Sequence, residues 1–108
     1  MKAVHSRDNP AFKALAKLAG SAAERRRRGF SVIEGAHLVE AFLDAGHAVA
    51  QLFVSRDAAR SGAHAALLAR ARGAEAMELS DALFGSVSGV ESPGGILAVV
   101  PTPAGRTV

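Results

Sequence analysis

Gly29-Phe30-Ser31-Val32-Ile33-Glu34-Gly35, followed at once by Ala36-His37-Leu38-Val39-Glu40-Ala41-Phe42-Leu43-Asp44-Ala45-Gly46, is the stretch that decides the fold. Phe30 to Glu34 is short, largely apolar and bounded by glycines, which predicts a strand. The period then changes. Leu38, Val39, Phe42 and Leu43 recur at helical spacing and form the inner stripe of a helix over 36–45, ended by Gly46. A strand feeding directly into a helix is the unit of an α/β domain.

The alternation continues toward the C-terminus. Ala48 to Val54 is a mostly apolar run, predicted as a strand buried on both faces. A helix over 63–72 carries Leu67, Leu68 and Ala71 on one stripe and stops at Gly73. Ala76 to Leu79 predicts a short strand with Glu78 turned outward. Ser80 then caps a short helix through Leu83, Phe84 and Val87. After a loop at Glu91-Ser92-Pro93-Gly94-Gly95, Ile96 to Val100 is the last strand, terminated by Pro101. Toward the N-terminus, Asn9-Pro10 opens a helix as N-cap and first helical residue. Phe12, Leu15, Ala16 and Ala19 keep the helical spacing, and Gly20 closes the segment. Ser21-Ala22-Ala23-Glu24 has the form of a capping box and opens a second short helix that stops at Gly29. The expected fold class is α/β, a three-layer α/β/α sandwich around a four-stranded sheet. No internal repeat is present.

Length and composition agree with one such domain. A chain of 108 residues buries about two-thirds of its unfolded surface on folding. A hydrophobic content of 49% excludes disorder, while the five aromatic residues, all Phe, make for a light core. With no cysteine, disulfides and thiolate metal sites are excluded. No apolar run approaches membrane-spanning length and no signal peptide follows Met1-Lys2, so a soluble, cytoplasmic protein without a membrane partner is expected.

The net charge of +3 hides an asymmetry. Residues 1–28 hold eight basic side chains against two acidic, whereas residues 29–108 hold five basic against eight acidic. The surplus is concentrated in Arg25-Arg26-Arg27-Arg28, with Arg7, Lys13 and Lys17 nearby in sequence. Such a footprint suits a polyanion, RNA foremost; the alternative is a solubilising run that favours the helix dipole. Successive helical residues differ by about 100°, so at most two or three of the four arginines can grip one ligand. Lys13 and Lys17, one turn apart, share a helix flank. Phe12 and Phe30 both have the spacing of core residues. The chemistry therefore points to phosphate and shape contact, with little for base stacking.

Glu34-Gly35 lies at the carboxyl end of a strand and the mouth of a helix, where ligands gather in sheets of this kind. Gly35 could admit a phosphate or ribose to the backbone, with Glu34 or His37 contacting a hydroxyl or base edge. A plain strand-to-helix turn accounts for the same residues equally well. Other constellations carry nothing catalytic. Gly85 to Gly89 lacks a central nucleophilic serine, and Gly89 to Gly95 lacks the ending of a phosphate-binding loop. His5, His37, His47 and His64 are not at metal-ligand spacing. Asp44, Asp57, Glu75, Glu78 and Asp81 form no acid–base pair.

Taken in order, three segments form a pattern. They are Ser6-Arg7-x-Asn9-Pro10-x-x-Lys13-x-Leu15-x-x-Leu18 with the arginine-rich turn, Gly29-Phe30-x-x-Ile33-Glu34-Gly35, and Ser92-Pro93-x-Gly95-Ile96-Leu97-Ala98-Val99-Val100. The pattern resembles the N-terminal substrate-binding domain of the SpoU (TrmH-type) RNA 2′-O-ribose methyltransferases. One departure is Gly94, where many relatives carry Gln. The resemblance implies the α/β/α fold of kink-turn-binding ribosomal proteins and recognition of ribosomal RNA of the 23S type. It also implies a following knotted domain that binds S-adenosylmethionine, transfers methyl to a ribose 2′-hydroxyl and forms a homodimer. The RNA-facing residues it implies are Arg7, Asn9, Lys13, Lys17, Arg25, Arg26, Arg27, Arg28, Glu34, Gly35 and His37. The expected organisation is an RNA substrate-binding domain over 1–103 and a linker over 104–108 toward a catalytic domain absent from this chain, so that no cofactor, metal or catalytic group is expected here. Two other readings stay open. One is a free-standing kink-turn or ribosomal-type RNA-binding protein; the other is a small-molecule or protein-binding module whose arginines only solubilise it.

Overall fold

In the computed structural model, residues 1–88 and 94–102 are described. The elements in chain order are β1 (Lys2–Val4), α1 (Pro10–Gly20), α2 (Ala22–Arg28), β2 (Phe30–Glu34), α3 (Ala36–Asp44) and β3 (Gln51–Ser55). They continue with α4 (Arg56–Ser61), α5 (Ala65–Arg70), β4 (Glu75–Leu79), α6 (Asp81–Val87) and β5 (Ile96–Pro101). The strands lie side by side in the order β1-β4-β3-β5-β2. β1, β4 and β3 are parallel, and β5 runs antiparallel to both β3 and β2. The carboxyl ends of β1, β2, β3 and β4 therefore share one rim, and β5 enters from that rim.

Strand alternation sends side chains to two separate cores. On one face Val4, Phe53, Met77, Leu79, Leu97 and Val99 pack with Phe12, Leu15 and Leu18 of α1 and with Leu83 and Phe84 of α6. On the other, Leu52, Val54, Ile96, Ala98 and Val100 pack with Val39 of α3 and with Leu67 and Ala71 at α5. The register shows why both faces close: Phe53 pairs with Leu97 on the first face, and Leu52 with Ala98 on the second. β5 is buried throughout Ile96 to Val100. This is the expected α/β/α sandwich.

The sheet has five strands where four are predicted. Lys2 to Val4 adds to the edge of β4 through Lys2↔Met77 and Val4↔Leu79. Only Val4 of the three is buried, too short a run to show a period of two. The third strand covers Gln51–Ser55, not 48–54. The predicted helix over 63–72 is preceded by a separate one: Ser55 Oγ accepts from Ala58 N at 3.1 Å and starts α4, and Gly62 at φ 72° divides α4 from α5. Leu38, assigned above to the inner stripe of α3, is 56% exposed, because the helix turns Val39 (0% exposed) toward the sheet. Pro101 is the last residue of β5 and pairs with Phe30. Thr102 N donates to Gly29 O on the β2 side. By alternation the Pro101 nitrogen faces the side where β3 has already ended, so no ladder bond is lost. The predicted loop residues Glu91 to Pro93 and the linker over 104–108 lie outside the described residues.

Candidate nucleic-acid interface

Asn9, in extended conformation, caps α1: its Oδ1 accepts from Ala11 N at 2.9 Å and Phe12 N at 3.2 Å. Phe12, Leu15 and Leu18 bury one stripe of the helix, which leaves Lys13 and Lys17 exposed one turn apart. Arg7, just before the helix, is exposed as well.

A single residue, Ser21 (φ −144°, ψ 115°), both ends α1 and caps α2, with its Oγ accepting from Glu24 N at 3.1 Å. No left-handed residue follows α1, so its last carbonyls lack the usual glycine closure. Arg25 supplies it, donating from one guanidinium nitrogen to Leu18 O at 2.6 Å and Ala19 O at 3.2 Å. The capping box is only half made. Instead of returning to Ser21 N, one carboxylate oxygen of Glu24 accepts from Arg27 Nη2 at 2.5 Å and from Arg28 Nε at 3.0 Å. The hydrogen bond from Arg27, aided by Arg28, holds the Glu24 carboxyl below its ordinary value, and Glu24 raises Arg27 in return. Arg26 is exposed and has no partner among the described residues. Gly29, at φ 75°, closes α2 by donating to Arg25 O. The four arginines thus divide: one inward, two on a shared carboxylate, one to solvent.

The second group sits on the sheet rim. Gly35 has φ 100° and ψ 147°, a region only glycine enters without strain. Its N donates to Ile96 O at 3.0 Å and its carbonyl accepts from Val39 N at 3.1 Å, which turns β2 into α3. No side chain among the described residues caps α3, and His37 is exposed in its first turn. Glu34 pairs with Leu97 and so belongs to the face covered by α1 and α6, whereas His37 lies in the opposite layer. Glu34 accepts a hydrogen bond from Ser88 Oγ. Gly94 packs beside Gly35, its carbonyl bonded to the His64 ring, and Gly95 O accepts from Ser55 N at 3.0 Å.

Ser86, Val87 and Ser88 share a shallow depression with Ala16, Ala19 and Gly20, which brings the end of α1 beside the Glu34 rim. The remaining nominated residues spread away from that point. Asn9 lies at the far end of α1, about 16 Å along the axis. The arginine helix leads to the start of β2, whose opposite end, about 13 Å away, is Glu34. The structure leaves Lys13 and Lys17 exposed one turn apart on α1, joins Arg27 to Arg28 through Glu24 on α2 with Arg26 exposed beside them, and sets Glu34 beside Gly35 at the far end of β2. Arg25 is turned into the α1–α2 joint. Two participants escaped sequence reasoning. Glu24 had a usable signal, its three- and four-residue spacing to Arg27 and Arg28. Ser88 had none, since its partner lies 54 residues away.

Chemically, this surface offers exposed cationic donors. Phe12, Phe53 and Phe84 are buried, and the chain has no Trp or Tyr. Among the described residues no group of His, Asp and Glu could hold a metal ion, and no helix is long and apolar enough to cross a membrane.

Residues 9–98 match the sequence model of the family described as MRM3-like substrate binding domain. Among solved structures, an RNA 2′-O ribose methyltransferase superposes with a TM-score of 0.78 at 26% identity, over 98% of this chain and 40% of that one. An rRNA methyltransferase from Sinorhizobium meliloti gives 0.73 at 22% identity, over 94% and 37%. The SpoU methyltransferase AviRb from Streptomyces viridochromogenes, in complex with AdoMet, gives 0.65 at 24% identity, over 89% and 34%. The latter two likenesses are of fold. This chain spans 40% or less of the length of these three proteins. No curated protein sequence matches it.

Proposed function

Because the chain belongs to the MRM3-like substrate-binding domain family, we propose that it is the RNA-recognition domain of an rRNA 2′-O-ribose methyltransferase, with ribosomal RNA of the 23S type as its partner and no catalytic group of its own. The observation that carries this reading is the set of exposed cations on the consecutive helices α1 and α2, inside the matched segment. Lys13, Lys17, Arg26, Arg27 and Arg28 contact phosphates, Arg7 and Asn9 extend the contact at the start of α1, and Arg25 holds the surface from behind. Glu34, Gly35 and His37 on the rim meet a sugar or base edge. Capture is electrostatic, and the bound RNA is then presented to a methyltransferase domain. Residues 1–103 form the recognition domain, and 104–108 lead toward that further domain. S-adenosylmethionine and a homodimer contact belong to the further domain, and no residue here is assigned to either.

RNA binding measured across salt concentrations tests the proposal. Each phosphate contact contributes about 0.7–0.9 to the log–log slope. The triple variant Lys13→Glu, Lys17→Glu, Arg26→Glu should lose both affinity and slope. Unaltered binding by that variant would refute the assignment.

A further inference from the structure

Glu24 is the one anion set among four cations, and the site it occupies is built. Its side chain is 17% exposed, against 69% for Arg27 and 39% for Arg28. Both arginines meet the same carboxylate oxygen, at 2.5 Å and 3.0 Å. Among the described residues that carboxylate has no other partner. The helix cap runs from Glu24 N to Ser21 Oγ, and the α1–α2 joint is closed by Arg25. The carboxylate orients Arg27 and Arg28 and cancels one of their two charges.

Two consequences follow for an anion arriving at α2. Each guanidinium carries five N–H donors, so each keeps donors beyond the one given to Glu24. A phosphate reaching them also meets a fixed carboxylate a few ångströms behind, and the repulsion falls on every phosphate alike. The orienting effect does not. A flexible strand gains little from a preset pair, while an RNA whose shape delivers phosphates to both guanidinia avoids the loss of freedom in arranging them. Selectivity of this kind comes from weakening the unwanted complex more than the wanted one.

Resting on the RNA-binding reading above, we propose that Glu24 is a specificity-determining residue. It presets the Arg27–Arg28 pair and holds down its affinity for unstructured RNA, so that binding favours a folded RNA of fitting shape.

The experiment compares Glu24→Gln with the unaltered chain by fluorescence anisotropy, against oligouridine and a stem-loop RNA of equal length, over a salt series. Glutamine keeps the length of the side chain and the backbone cap, and thermal unfolding checks the fold. Oligouridine should bind about two- to fivefold more tightly to the variant at low salt. Its slope should steepen by about 0.7–0.9, one further phosphate contact. The stem-loop should gain less, so the preference for it falls. Glu24→Asp, which keeps the charge but withdraws it by one methylene, should move preference the same way and serves if Glu24→Gln does not fold. In an Arg27→Gln, Arg28→Gln background, Glu24→Gln should do nothing. An unchanged preference, equal gains on both RNAs, or a gain that survives in that background would each overturn the assignment. Absence of salt-dependent binding to either RNA by the unaltered chain would instead remove the RNA-binding reading, and this assignment with it.

Discussion

Arg25 and Arg26 are neighbours in a uniform run, yet helical geometry gives them opposite surroundings. Arg25 reaches back seven residues to the carbonyl of Leu18, and Arg26 is exposed with no partner among the described residues. Their variants should separate accordingly. Arg25→Met keeps the aliphatic stem but abandons two helix-end carbonyls, and should lower stability by about 1 kcal/mol, with the salt slope of RNA binding unmoved. Arg26→Gln should leave stability within about 0.5 kcal/mol and reduce the slope by about 0.7–0.9. Denaturant melts and salt titrations on the same two proteins check both statements, and the reverse pattern would exchange the two roles. Helical spacing already separates the four arginines, and the position of Glu24 marks Arg27 and Arg28; that Arg25 turns inward was not legible, because the carbonyls it meets belong to the neighbouring helix.

At the scale of the element, the decisive piece is the turn from β2 into α3. Gly35 at φ 100° places the rim residues Glu34 and His37 on opposite layers of the sandwich. A Cβ at this position would meet nothing within 4 Å among the described residues, and the positive φ by itself strains any residue that carries one. In Gly35→Ala that strain should cost about 1–3 kcal/mol. The measurement is a urea midpoint; an unchanged midpoint would show that the turn relaxes. The helices themselves were largely legible. Asn9, Ser21 and Ser80 each cap the helix their position announces, since a cap depends on residues two or three places away. What misled was local ambiguity. Leu38 and Val39 are consecutive apolar residues about 100° apart on α3, and only the sheet beneath determined which of them is buried.

Over the whole molecule, two cores share one sheet, and β5 stands between them with five consecutive buried residues. Phe53, fully buried and paired with Leu97 and Met77, anchors the core under α1 and α6. Phe53→Ala should destabilise the domain by about 3–5 kcal/mol, a large part of the total for a chain of this size. It should weaken RNA binding only through the unfolded fraction, which thermal melts with and without RNA can measure. From sequence alone came the α/β alternation, the caps, the family pattern and the concentration of positive charge near the N-terminus. All of these depend on residues within a few positions of one another, or on composition. The three-dimensional fold alone decided that Lys2 to Val4 completes the sheet, that β5 runs against its neighbours, and that Ser88 meets Glu34. It also turned Arg25 inward, away from its three neighbours. Each of these depends on which surfaces are buried against which, and that is settled only when distant segments compete for the same edge, face or hydrogen-bond donor.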